Sequence, residues 1–320
     1  PEQICIGQYY TKIRQCELMK ALYGTGVIDS HNPIWLDVRN NGNIIINSST
    51  NDENNEHLYR AVCGLTMKYL EEFPLGALKV HFVDANQHVW FNQFVNAFSR
   101  ENNPVCKQLI TNVSKIYSRI DYINNNDCES IMRKTTGNIK NLFDLYSVDK
   151  THAFHLFVIR SGFSEIVGNN GNVDSLRLLK ILMGERGRKC GIRFIIVNDY
   201  EESERMDSKT KLLFNEILDN GMVIDFNNGS FSINKSKIGV SYIDEKDAGY
   251  FIEKQCTSMA KILSSKQGDI ISYENIGFGK ITDQDKYSSV LSIPIGKFGT
   301  KTLEIPFNCG DEKYGPANSG

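Results

Sequence analysis

The sequence predicts an α/β fold: a mostly parallel sheet flanked by helices, with a C-terminal β-hairpin segment. Three observations carry that expectation. Short apolar runs alternate with amphipathic ones through the first 263 residues, the pattern of strands joined by covering helices. The runs over residues 153–159 and 192–197 are apolar almost throughout, as strands buried on both faces must be. The chain closes on two strand-like runs, residues 290–295 and 302–307, around the turn Gly296-Lys297-Phe298-Gly299.

The first buried strand is Ile44-Ile45-Ile46. A polar loop follows, then a helix whose apolar face is Leu58, Ala61, Val62, Leu65 and Tyr69. Pro74-Leu75-Gly76 turns the chain into a strand over residues 78–83 that ends at Asp84. Leu109, Val113, Ile116, Ile120 and Ile123 then form a heptad-like seam, which predicts a helix packed on a neighbour. Asn124-Asn125-Asn126 reads as a break before a further amphipathic run with Ile139, Leu142, Phe143 and Tyr146. After the strand at 153–159, Leu176, Leu179, Leu182 and Met183 mark a helix. Gly184, Gly187 and Gly191 lead from it into the strand at 192–197. A helix over 209–218 precedes strands at 222–226 and 230–233. Asn227-Asn228-Gly229 between them predicts a hairpin with a type I′ turn. The last helix, 247–263, carries Phe251, Ile252, Met259 and Leu263 on its core side. Residues 264–289 are polar and weakly periodic. The expected division is therefore 1–263 as one domain, 264–289 as a linker and 290–320 as a separate hairpin segment.

Charge and length narrow the function classes. The chain has 320 residues, with 36 Lys and Arg against 38 Asp and Glu, a net charge of -2. That balance excludes a general polyanion binder, so any DNA contact must be local. The eight cysteines are never closer than 11 residues, which argues against CxxC metal ligands and redox pairs and predicts scattered buried thiols. No apolar run approaches the roughly 20 residues of a membrane span and no leading signal segment is seen, so a cytoplasmic location is expected. The start at Pro1 and the glycine-containing end read as a piece excised from something longer.

Ligands of an open parallel sheet sit beyond the carboxyl ends of its strands. The loop 47–56 is the first such place. A phosphate-binding loop needs glycines, a Lys and a Ser or Thr for magnesium. This one has no Gly and no Lys, and its Asp52, Glu53 and Glu56 suit a helix N-terminus instead. At the end of the apolar strand, where nucleotide hydrolases keep acids for magnesium, stand Arg160 and Ser161; Glu165 is the nearest acid after them. His152 and His155 are three apart and would point to opposite faces of a strand, so no metal site is expected and His155 reads as a core histidine. Arg186, Arg188 and Lys189 form a basic loop able to meet phosphate, on a DNA backbone or on a nucleotide of a neighbouring subunit. The final stretch, with Gly315, Ser319 and Gly320, matches the GxxxxG half of a phosphate loop and is the one weak nucleotide-binding expectation.

The strand Phe157-Val158-Ile159, the helix through Leu178-Leu179-Lys180-Ile181-Leu182, the turn Gly187-Arg188-Lys189-Cys190-Gly191-Ile192 and the strand Phe194-Ile195-Ile196 together resemble the FtsK/SpoIIIE-type ATPases. So do Pro74-Leu75-Gly76-Ala77-Leu78-Lys79-Val80 and the closing Ile293-Pro294-Ile295-Gly296, which is similar to the hairpin that leads into a phosphate loop in that family. Ile6-Gly7-Gln8 looks like an earlier copy of it. The resemblance implies a RecA-like module over most of residues 1–260 and the lead-in to a second over 290–320. It also implies a parent chain that uses ATP and magnesium, other copies of the same ATPase as ring partners, and duplex DNA as substrate. A protein substrate, as in type VII secretion ATPases, is the alternative. Since loop 47–55 and Arg160-Ser161 depart from the family pattern, the expectation is a catalytically silent module with no cofactor of its own.

Overall fold

Ile44, Ile45 and Ile46 are fully buried because their strand lies inside the sheet with a neighbour on each side. The computed structural model describes residues 3–14, 27–48, 55–85, 89–100, 105–106, 108–161, 173–199, 207–268, 290–298 and 301–308. It divides into two units, residues 1–261 and 262–320. In chain order the first part of unit one is β1 (Gln3–Arg14), β2 (Val27–Asp37), β3 (Ile44–Ser48), α1 (Asn55–Glu72), β4 (Leu78–Asp84) and α2 (Asn92–Arg100). Next come α3 (Val113–Tyr122), α4 (Glu129–Lys134), α5 (Leu142–Tyr146), β5 (Phe154–Ser161), α6 (Val173–Met183), α7 (Glu185–Lys189) and β6 (Ile192–Asp199). The rest is α8 (Ser208–Leu218), β7 (Met222–Asn227), β8 (Ser230–Ile233), β9 (Ser236–Val240) and α9 (Ala248–Gly268), within which the unit boundary falls. Unit two contributes β10 (Val290–Phe298) and β11 (Lys301–Asn308).

The sheet is mixed, 9-stranded and flanked by helices, in the order β2-β1-β9-β8-β7-β3-β6-β5-β4. Its parallel section is β7-β3-β6-β5-β4, with Ile44 opposite both Ile195 and Met222. The wing from β7 through β8, β9 and β1 to β2 is antiparallel throughout. The expected I′ hairpin between β7 and β8 is present, with positive φ at Asn228 (50°) and Gly229 (73°). Asn43 keys the amino end of β3: its side-chain amide donates to the carbonyls of Met183 (3.1 Å) and Asn220 (2.9 Å) and accepts from the Phe194 N–H (3.0 Å).

Several expectations are corrected. The asparagine run after Ile123 is no break, because α3 runs into α4 through a π-helical turn, Ile123–Cys128. Asn125 donates to Asp121 (3.0 Å) and Asn126 to the Tyr122 carbonyl (2.8 Å), so amides that would end an ordinary helix hold the wider turn together. Ile116, Ile120 and Ile123 keep the predicted seam buried, while Leu109 precedes the helix. The basic stretch at 185–189 is the short helix α7 rather than a loop. Gly187 is needed there for packing, since a Cβ would lie 1.6 Å from the Leu182 carbonyl oxygen. The chain after β4 also holds α2, hidden in the sequence by Asn and Gln but burying Phe94 and Phe98, each worth about 1.5–3 kcal/mol of transfer. Finally α9 runs on to Gly268, into the expected linker; residues 269–289 lie outside the described residues.

The hairpins β1–β2 and β10–β11 share a detail. Both are antiparallel, and the register shifts between Cys5 and Gly7 in the first and between Pro294 and Gly296 in the second. Ile4-Cys5-Ile6-Gly7 and Ile293-Pro294-Ile295-Gly296 thus carry the same bulge at the same step, just before the glycine.

Candidate functional site

The strand order sets where a ligand of the parallel section would sit. From β3 the chain leaves to β4 at one end, returns through β5 and β6, and passes over β3 to β7. The switch point therefore lies beyond the carboxyl ends of β3 and β6. There the Asn198 side chain donates to Asn47 Oδ1 (2.8 Å) and Asn47 Nδ2 donates to Asp225 Oδ1 (3.2 Å), a polar chain across β6, β3 and β7. Asn47, Ser48 and Asn198 are buried. The Asn198 and Asn47 amides are thus turned on strand neighbours, and the group at the end of the chain is a carboxylate. Glu56 in the first turn of α1 adds a second acid, paired to Arg60 at 2.8 Å. A triphosphate needs free N–H groups and an ammonium here, and none of Asn47, Asn198 and Asp225 supplies an ammonium. Residues 49–54 lie outside the described residues.

At the end of β5, Arg160 is buried with its guanidinium 4.4 Å above the Trp90 ring, the cation serving to pack the turn after β4. Ser161 stands opposite Asp84, which is fully buried. Glu165 and the trio Gly315, Ser319 and Gly320 lie outside the described residues.

The basic cluster is largely engaged. Arg186 donates to Glu129 (2.6 Å) and to Asn124 Oδ1 (2.9 Å), tying α7 to the π turn, and Lys189 pairs with Glu185 at 2.7 Å. Only the Arg188 side chain, half-buried, has no bond shown among the described residues. Sequence reasoning overlooked Arg193, which is buried and donates to the carbonyls of Val38 (2.7 Å), Ile192 (2.7 Å) and Arg39 (2.9 Å). Burial pushes its pKa down to about 10, so it stays charged at neutral pH. A lone Arg at an apolar strand's start was the available signal.

His155 is buried as expected, and its partners are now visible. Its Nε2 lies 3.2 Å from Asp127 Oδ2, and its Nδ1 is 2.9 Å from His81 Nε2. The hydrogen bond from His155 holds the Asp127 carboxyl below its usual range, while burial outweighs that carboxylate and lowers the His155 pKa as well. A neutral His155 donating to Asp127 leaves Nδ1 to accept, so His81 donates from Nε2. His152 instead meets Lys134 (3.0 Å). The fold also brings together two buried thiols 62 residues apart: Cys190 Sγ lies 3.8 Å from the Cys128 carbonyl, a proximity that sequence spacing hid.

No protein-family model matches the sequence, and no curated protein matches it. Among solved structures it is similar to EssC (ATPases 2 and 3) from Geobacillus thermodenitrificans, at 10% identity and a TM-score of 0.56, over 95% of this chain and 58% of that one. It is similar too to the cytoplasmic domain of EssC, at 11% identity and a TM-score of 0.54, over 95% and 59%. The chain thus spans under two thirds of either. At these identities the likeness shows the fold, the RecA-like ATPase-domain arrangement of the mixed sheet. Among the described residues no helix is long and apolar enough to cross a membrane.

Proposed function

We propose that residues 1–261 are a catalytically silent RecA-like module of a multi-module ATPase of the FtsK/SpoIIIE kind, serving assembly with other copies or regulation of active modules. The observation that carries the reading is the Asn198–Asn47–Asp225 chain, which occupies the strand ends where a phosphate loop and magnesium acids would work. The shared bulge in β1–β2 and β10–β11 supports a second module opening at residue 290, to which ATP and magnesium would belong. Its coverage of just over half of a two-ATPase EssC piece agrees with that count.

Duplex DNA is one substrate under this reading, but Arg186 and Lys189 are already paired, which leaves Arg188 to meet a phosphate. That engagement favours the second reading, a protein or peptide substrate of the secretion-ATPase kind. Calorimetric titration of the 320-residue chain with ATP and magnesium should give no saturable heat; binding that saturates would refute silence. A gel shift on long duplex DNA at low salt separates the substrates: salt-sensitive binding lost in Arg188→Ala supports DNA, and no shift supports protein.

A further inference from the structure

A cavity of 240 Å³ lies on one face of the outer parallel strands, walled by Lys79 and His81 of β4, His155 of β5, Arg119 and Tyr122 of α3, and Asp127 of the π turn. Lys79 and Arg119 are half-buried, and neither makes a side-chain hydrogen bond or ion pair among the described residues. Asp127 is the carboxylate on the same wall, near enough for the Lys79 ammonium to help lower its pKa, so two half-buried cations face one space with a single anion and carry a desolvation cost that a second anion would relieve. A neutral His155 donates to the Asp127 carboxylate at 3.2 Å and leaves its charge in place, so Lys79 and Arg119 against Asp127 leave the wall one positive charge in excess. The π turn is an independent pointer. Such turns concentrate at functional sites, and this one aims Asp127 at the His155–His81 pair that floors the cavity.

We propose that this cavity binds a small oxyanion, a phosphate or carboxylate on a compact organic body, with its head between Lys79 and Arg119 and beside the His81 ring. Size limits the body. The cavity exceeds the roughly 150 Å³ that accepts benzene but falls short of the roughly 300–1,000 Å³ that takes drug-sized ligands. A phosphate monoester or a short dicarboxylate fits, and a nucleoside triphosphate does not. Ile110 and Ile123 supply the apolar wall. This site is separate from the strand ends beyond β3 and does not depend on the silence of that region.

The test is calorimetry on the whole chain with inorganic phosphate and, separately, malonate. At least one should bind saturably, with affinity lowered about tenfold in Lys79→Met and in Arg119→Gln, the loss of one charge-assisted hydrogen bond. Lys180→Ala, which removes an ammonium paired with Glu216, should bind as the parent does. Saturation by phosphate alone identifies a phosphoryl head, and by malonate alone a carboxylate. Should a cavity variant fail to fold, ring-nitrogen NMR of the parent decides: the anion should shift His81 and leave His57, which bonds Tyr242, in place. No saturable heat from either anion, undiminished binding in both variants, or a His57 shift equal to that of His81 overturns the proposal.

Discussion

Arg193 shows how much one side chain can hold at the amino end of the sheet. Its guanidinium joins the chain at Val38–Arg39 to the start of β6, and no carboxylate shares the site within hydrogen-bond reach among the described residues. Replacing it with Met removes the donor and strands buried carbonyls, so Arg193→Met should cost about 3 kcal/mol or more; a urea midpoint unchanged from the parent would contradict that. His155 gives a pH prediction whose sign follows from its lowered pKa. Above its ordinary value of 6.5 both folded and unfolded chains are neutral there; below it only the unfolded chain takes the proton, so stability falls with pH. Asp127 adds a loss only further down, below its ordinary 3.8. Urea midpoints at about pH 7.5 and 5.5 should drop more in the parent than in His155→Gln, by at most about 1.4 kcal/mol per pH unit.

At the scale of elements, α7 and the π turn are mutually dependent, through Arg186 on one side and Glu129 with Asn124 on the other. Gly187→Ala would force α7 off the end of α6, because the new methyl would meet backbone rather than a pliable side chain. The expected result is a loss of about 3 kcal/mol or more, or insoluble protein. Soluble protein with a parental thermal midpoint would refute it. These elements also show what could be read in advance. The β3, β5 and β6 strands were legible because two-sided burial makes a strand apolar over most of its length, and α1 because its apolar residues recur every three or four positions. The π turn was not, since asparagines that end most helices here bond back to the turn before. Nor was the cavity, because Lys79, His155 and the Arg119–Asp127 pair come from three separate stretches, and the pair meets only because the helix continues through the π turn.

For the whole molecule, local opening should follow the sheet order. Amides of β3, β5 and β6, each flanked by parallel neighbours, should exchange slowest. Those of β10–β11, a two-stranded sheet among the described residues, should exchange fast, since a pair of strands is marginal in water. Equal protection in β10 and β1 would contradict that, since among the described residues β1 has a strand on each side and β10 has one neighbour.

Asn43 just before β3 and Asn47 within it sit four residues apart, one bonded to the neighbours at the strand's entrance and the other to the neighbours at its exit. A slip of β3 by a single step would unseat both amides together, setting Ile44 and Ser48 at the two polar sockets in one direction and Gly42 and Ile46 in the other. The strand at the heart of the molecule therefore checks its own alignment twice, and an error at either end is rejected by the other.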